Sequence, residues 1–246
     1  MRLTADYHVH STYSRHNHGK STIEEIVQRA VDIGLEEIAI TDHGPKHYMY
    51  GIRQDKIKEA KEKVIEMRER YPQIKILMGV EANILDYKGN TDITDEVLKY
   101  CDIILCGYHV GALFSTPRDA WKFLVKNKIG KINEEVLREM EARNTNAIHE
   151  VMRKNKIDIL THPGDKIPVN IDSIAAIAQE TGTILEINNS HSHLNAEEIK
   201  IASKYKVKFA INSDAHIKDD IGSYNKGLKA AVDAGLDLRR IVNIKL

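Results

Sequence analysis

The chain has 246 residues, with 36 Lys and Arg balanced by 36 Asp and Glu, 42% hydrophobic residues and 29% charged ones. That length and composition suit a single α/β domain with a substantial core and exclude a disordered chain. The balanced charge gives no electrostatic case for a general nucleic-acid binder, although a small anionic ligand fits, and no stretch approaches the roughly 20 apolar residues of a membrane helix. The opening MRLTADYHVHSTYS lacks an apolar segment behind a basic one, so a cytoplasmic protein is expected. Cys101 and Cys106 match neither a C-x-x-C redox pair nor a zinc-knuckle spacing and read as buried thiols.

In chain order, short apolar runs alternate with amphipathic stretches, the pattern of repeated βα units. The predicted strands are Asp6–His8, Glu37–Thr41, Lys75–Val80, Ile103–Gly107, Ile157–Thr161, Thr183–Ile187 and Lys208–Asn212. The first helix is expected to start at a Ser21/Glu24 capping box, to bury Ile23, Ile26, Val27, Ala30 and Val31, and to end at Gly34. Asp55 to Arg70, dense in Lys and Glu at i,i+4 spacing, reads as a helix with a solvated face. The longest interval, His109 to Ile157, holds Pro117–Val125 and a helix from about Glu134 to Lys154; its Trp121, Phe123 and Leu124 are either a lid or simple packing. Asn170 and Asn195 are expected N-caps of later helices. No linker divides the chain, so residues 1–246 are read as one domain.

The chemistry lies in where the polar residues fall. At or just past the strand ends stand His8 and His10, Asp42 and His43, Glu81, His109, His162, Asn188 and Asn189, and Asp214 and His216, repeating every ~34 residues, the length of a βα unit. In a parallel barrel these ends converge on one mouth. So many imidazoles and carboxylates are costly to bury together without partners, and cations are the economical partner. His8-Val9-His10 points two imidazoles the same way, Asp214-Ala215-His216 adds a carboxylate suited to Zn²⁺, Mn²⁺ or Fe, and Glu81 has two oxygens with which to bridge ions. With His16, His43, His109 and His162 the candidate ligands exceed the four of one tetrahedral site, so more than one metal is expected. Asp6 and Asp42, beside ligand histidines, either orient them or cap structure. Arg15, Lys20, Lys46, His47 and Arg118 are candidate contacts for substrate phosphate, and His191 and His193 could touch substrate or protonate a leaving group. His149 reads as structural.

The strings Asp6-Tyr7-His8-Val9-His10-Ser11, Ile40-Thr41-Asp42-His43-Gly44-Pro45, Gly79-Val80-Glu81-Ala82-Asn83, Gly107-Tyr108-His109, Thr161-His162-Pro163-Gly164, Glu186-Ile187-Asn188-Asn189-Ser190 and Ser213-Asp214-Ala215-His216 resemble, in order, the motifs of the polymerase and histidinol phosphatase (PHP) family, above all its stand-alone YcdX-like phosphatase branch. The resemblance implies a distorted (β/α)7 barrel holding three divalent ions, zinc with manganese or iron as alternatives, that hydrolyses small phosphate monoesters with an activated water. By matching positions, His8, His10, Glu81 and Asp214 would hold one ion, Glu81, His109 and His162 the second, and His16, His43 and His216 the third. In the first loop His16 is preferred for its spacing from His10, with His18 the alternative. Glu81 and Asp214, together with His191 and His193, are the expected catalytic residues.

Rival readings are a histidinol-phosphate phosphatase, a 3′–5′ exonuclease or phosphodiesterase, an amidohydrolase-type metal hydrolase and a non-catalytic metal-binding domain. The amidohydrolase would need a bridging Lys at a middle strand end, where this chain has Glu81. The expected partner is a small phosphorylated substrate, with no membrane and no extended nucleic acid.

Overall fold

The computed structural model describes residues 1–191 and 193–246. Nine strands are present among them: β1 (Arg2–Leu3), β2 (Ala5–Asp6), β3 (Glu37–His43), β4 (Lys75–Asn83), β5 (Ile103–Gly107), β6 (Ile159–Leu160), β7 (Ile184–Asn188), β8 (Phe209–Asn212) and β9 (Ile244–Lys245). Strands β2 to β8 form one parallel sheet in sequence order, the expected seven-stranded α/β barrel, and β1 pairs antiparallel with β9.

Each strand's inward file changes character along its length. Ala39, Leu105, Ile159 and Ala210, with Leu77 and Ile184, fill the lower barrel as a small apolar cluster. Two and four residues further on, the same pleat faces carry Thr41 and His43, Glu81, Thr161, Glu186 and Asn188, and Asn212. The opposite files, such as Ile38, Ile40, Met78, Val80, Leu185 and Ile187, pack into the larger core shared with the helices. The barrel is therefore closed by hydrocarbon below and lined by polar groups above.

Closure between β2 and β8 is incomplete. Near the top, Val9 bridges Ala215, with His10 N donating to Ala215 O (2.9 Å) and Ala215 N to His8 O (3.2 Å). Below, side chains replace the ladder. Fully buried Asn243 donates from Nδ2 to Ala5 O (2.8 Å) and Ile211 O (2.7 Å) and accepts from Ile211 N (3.0 Å), while Asn212 Oδ1 accepts from Tyr7 N (3.1 Å). Backbone groups that would be orphaned at an open edge are thus paired.

Three strands outrun their predicted ends: β3 reaches His43, β4 reaches Asn83 and β7 reaches Asn188, because inward polar side chains continue the sheet where an apolar pattern stops. The first helix, α1 (Ile23–Asp32), is capped one residue later than expected, by Thr22 and Glu25; Ser21 Oγ is instead taken by Lys218 N (2.8 Å). Asn170 and Asn195 do cap the helices Ile171–Thr181 and Ala196–Ala202. In the long excursion, Pro117–Trp121 continues through a wide turn at Lys122–Lys126 into Asn127–Gly130, ahead of the helix Glu134–Lys154. Phe123 is buried and stacks on Tyr87 and Phe114, and Trp121 and Leu124 do not line the barrel mouth, so this segment is packing rather than a lid. His149 meets Ser173, a structural contact.

Candidate metal centre

Glu81 is the hub. Strand register sets it beside His43, and both point inward at the top of the barrel. Its Oε1 lies 3.0 Å from His162 Nε2 and 3.1 Å from His109 Nε2, and accepts from Thr161 Oγ1 at 2.8 Å. Its Oε2 is 2.8 Å from His43 Nδ1, 3.3 Å from His8 Nε2 and 3.8 Å from His10 Nε2. Across the mouth, Asp214 Oδ1 lies 3.3 Å from His10 Nε2 and 3.5 Å from His8 Nε2, and Oδ2 lies 3.2 Å from His191 Nε2. Asp214 and His162 both have positive φ (55° and 28°), so the site contains side chains held in uncommon backbone conformations.

The structure thus brings His8, His10, His43, Glu81, His109, His162, Asp214 and His216 together. It does not bring in His16. That residue is exposed, in a turn where His16 and Asn17 both have left-handed φ (55° and 57°), and it borders a separate groove with Arg53 and Lys56. His18 takes the expected place, its Nε2 2.8 Å from His216 Nε2. The preference for His16 is corrected accordingly: the turn reverses direction, so spacing from His10 along the chain does not carry over into space.

Whether cations fit can be judged from the hydrogen bonding. His8 Nε2, His10 Nδ1 and Nε2, His43 Nδ1 and Glu81 Oε2 are buried without a hydrogen bond of good geometry, although His43 Nδ1 and Glu81 Oε2 lie 2.8 Å apart. Stranding so many lone pairs and N–H groups together is costly unless something binds them. Three sets have donor atoms mutually within 4.8 Å: His8, His10 and Glu81; His10, Asp214 and His216; His43, Glu81 and His109. Neutral imidazoles with carboxylates are a donor set for divalent cations.

Protonation follows the same logic. Burial drives His43 well below the usual imidazole range, His18 down to about 3 and His216 to about 4, each helped by neighbouring histidines. These rings are neutral imidazoles at neutral pH, each with one N–H and one free lone pair. Burial by itself would raise Glu81 and Asp214, but the surrounding imidazoles hold both carboxyls well below their ordinary values. His8 is the counterweight: burial would lower it, yet Asp214, Glu81 and Glu186 raise it well above the ordinary value.

A supporting layer was not assigned from sequence. Fully buried Glu186 sets Oε1 2.8 Å from His8 Nδ1, and its Oε2 accepts from His162 N (2.8 Å), aligning two candidate ligands. Asn83 Oδ1 lies 2.8 Å from His109 Nδ1, and Asn83 is held in turn by Asp92 through its backbone N (2.7 Å) and Nδ2 (2.6 Å). The only sequence signal was that Glu186 and Asn83 lie inside the quoted strings. Asp6 and Asp42 prove to be caps. Asp6 accepts from Ser213 N and Gly222 N, and Asp42 gathers Ser11 and Ser14 of the first loop.

Above the cluster opens a cavity of about 630 Å³. Among the described residues its lining includes His47, His191 and Lys166, the last with Nζ 2.9 Å from Asp165 Oδ2. Of the basic residues proposed from sequence, Arg15 is already committed, donating to the carbonyls of Gly51, His47 and Tyr48. Lys20, Lys46 and Arg118 are exposed and do not line the cavity. Those four expectations are corrected. His47 is at the mouth, stacked on His43, while His193 lies beside Asp165 (3.8 Å) outside the lining.

A barrel with imidazoles and carboxylates from every strand end defines a class of metal-dependent hydrolase, and comparison gives the family: the PHP domain model matches residues 6–190. The chain belongs to the PHP domain family. A relative from Thermoanaerobacter sp. (strain X514), named "Probable phosphatase", is 34% identical over 99% of this chain and 91% of its own length. One with the same name from Caldanaerobacter subterraneus subsp. tengcongensis is 32% identical over 99% and 88%. Among solved structures, a histidinol phosphate phosphatase from Lactococcus lactis subsp. lactis, complexed with zinc, L-histidinol and phosphate, aligns with TM-score 0.62 at 17% identity over 96% of this chain and 95% of that one, a likeness of fold. No helix among the described residues is long and apolar enough to cross a membrane.

Proposed function

We propose that this protein is a metal-dependent phosphatase hydrolysing small phosphate monoesters at the Glu81 cluster. The observation that supports it most is the buried Glu81 carboxylate, with five imidazole nitrogens within 3.8 Å of its two oxygens and several of those atoms lacking any other partner. His8, His10, Glu81 and Asp214 would hold one ion, Glu81 with His109 and His162 a second, and His18 with His216 a third, His43 standing between the last two. Three ions, zinc or manganese or iron, are the proposed complement.

When bound, divalent cations there would offset the charge of the phosphoryl oxygens and lower the pKa of a water towards about 7. The protein's own groups do the rest. Glu81 and Asp214 stay ionised and fix the cluster's charge; Glu186 and Asn83 hold His8 and His109 in orientation. Lys166, the one Lys or Arg among the described lining residues, meets the phosphate. His191, 39% exposed at the side chain and anchored on Asp214, is placed to give a proton to the leaving oxygen. His193 is not given that role, since it lies outside the cavity lining.

The test is metal analysis with a phosphomonoester panel that includes histidinol phosphate. Two to three ions per chain and chelator-sensitive monoester hydrolysis are expected. A metal-replete preparation that cleaves an amide and no phosphate ester overturns the proposal.

A further inference from the structure

The cavity has two unlike halves. Its floor is the imidazole and carboxylate cluster, whereas the outer wall is built by Tyr48, Met49, Tyr50, Val110 and Gly111. Tyr48, Met49 and Val110 are 68%, 44% and 51% exposed, large apolar side chains left in water at the lip of a polar site. They are held there firmly. His47 and Ala112 form an antiparallel bridge, Tyr48 N donates to Gly111 O (2.7 Å) and Leu113 N to Lys46 O (2.8 Å), so the two loops make one ledge. Arg15 clamps the same loop from behind through the carbonyls of His47, Tyr48 and Gly51. Tyr50 lies flat on His18, ring centroids 3.9 Å apart and planes 2° from parallel, joining the ledge to the floor. Beyond the cluster, the polar side chains among the described lining residues are Lys166, His191, His47 and the phenols of Tyr48 and Tyr50, and His47 Nδ1 is already used by Tyr50 N (3.0 Å). Among the described lining residues there is no Ser, Thr, Asn or Gln to satisfy the hydroxyls of a sugar or the edge of a base.

Resting on the phosphatase reading, we infer that the substrate class is monoesters with an apolar, aryl or alkyl leaving group, and that Tyr48, Met49 and Val110 determine this specificity. A cavity of about 630 Å³ has room for such a group beside the phosphate. A hydroxyl-rich group would lose its water against this wall with few side-chain hydrogen bonds in return, whereas an apolar one gains by covering the ledge.

The metal-loaded enzyme is assayed with 2-phenylethyl phosphate, ethyl phosphate and glucose 6-phosphate, all primary-alcohol esters of similar leaving-group acidity. The expected kcat/KM for the phenylethyl ester exceeds the other two by about tenfold, the value of some 50 Å² of covered apolar surface. In a Tyr48→Ala/Val110→Ser variant the ratio of phenylethyl to ethyl turnover falls to near unity, and Tyr48→Phe retains it. Calorimetry with 2-phenylethylphosphonate and ethylphosphonate reads the ledge without turnover, and a similar preference is expected. Equal use of glucose 6-phosphate, or equal phosphonate affinities, overturns the inference while the phosphatase assignment stands. Preferential phosphonate binding with no ester hydrolysed supports the ledge and overturns the phosphatase assignment instead.

Discussion

The first-loop histidine that the structure turns into the cluster is His18. Its Nε2 faces His216 Nε2, while His16 sits exposed two residues earlier, on the other side of a left-handed turn. His18→Ala should therefore remove about one bound ion per chain and lower turnover by at least about tenfold, in the range of lost ligand interactions, whereas His16→Ala should leave the metal count unchanged and change turnover by less than about twofold. Plasma emission metal counts on the two variants decide the matter; a larger loss from His16→Ala would restore the rejected assignment. The protonation pattern sets the pH response. His8 is raised against its burial by Asp214, Glu81 and Glu186, so it carries a proton that a cation must displace. Binding that releases a proton weakens as pH falls, by about tenfold per pH unit for each proton released. Metal affinity, and activity with it, should thus decline on acidification from neutral pH towards pH 5, and titrations in buffers of different ionisation enthalpy should register the released proton. Affinity that stays flat over that range would contradict the protonated His8.

At the scale of elements, the seam between β2 and β8 is the feature on which the barrel depends. Asn243, from the short run before β9, supplies three hydrogen bonds to Ala5 and Ile211 where two strands fail to pair. Asn243→Ala would strand those buried carbonyls and the Ile211 N–H, at a cost of about 2–4 kcal/mol by the usual penalty for unsatisfied groups. Because Ile211 lies on the strand that leads to Asp214, metal binding should weaken as well. Denaturant unfolding of the metal-free variant against the metal-free parent measures the first effect; an unchanged midpoint would mean that water replaces the amide. None of this seam was visible in the sequence. An Asn at position 243 looks like a turn residue until the fold places it between Ile211, 32 positions earlier, and Ala5, 238 positions earlier. The caps tell a milder version: Ser21 and Thr22 both suit an N-cap by chemistry, and it is the tertiary contact of Ser21 with Lys218 that assigns the cap to Thr22.

For the whole molecule, the upper barrel gathers nine candidate ligands, seven of them buried and His18 and His216 half-buried, and like-charged or unpaired groups there oppose folding unless cations bind. Cations that bind the folded state and not the unfolded chain stabilise it by mass action, by about 2.7 kcal/mol at a hundredfold excess over Kd. Chelation should therefore lower Tm, reversibly on adding Zn²⁺ or Mn²⁺, and the same shift should be smaller in a Glu81→Gln variant. A Tm indifferent to chelator would indicate that the cluster is satisfied by its own hydrogen bonds.

The alternation of strands and helices, the single parallel barrel and the strand-end origin of most residues in the cluster were legible in the sequence, because strand period and strand-end position are local properties of the chain. Which first-loop histidine turns inward, that Glu186 and Asn83 stand behind His8 and His109, that Arg15 braces a loop, and that the loops of Tyr48 and Val110 join into one ledge were decided only by the tertiary structure. Those facts depend on the direction of side chains in irregular loops and on contacts between residues far apart in sequence, neither of which a local pattern encodes.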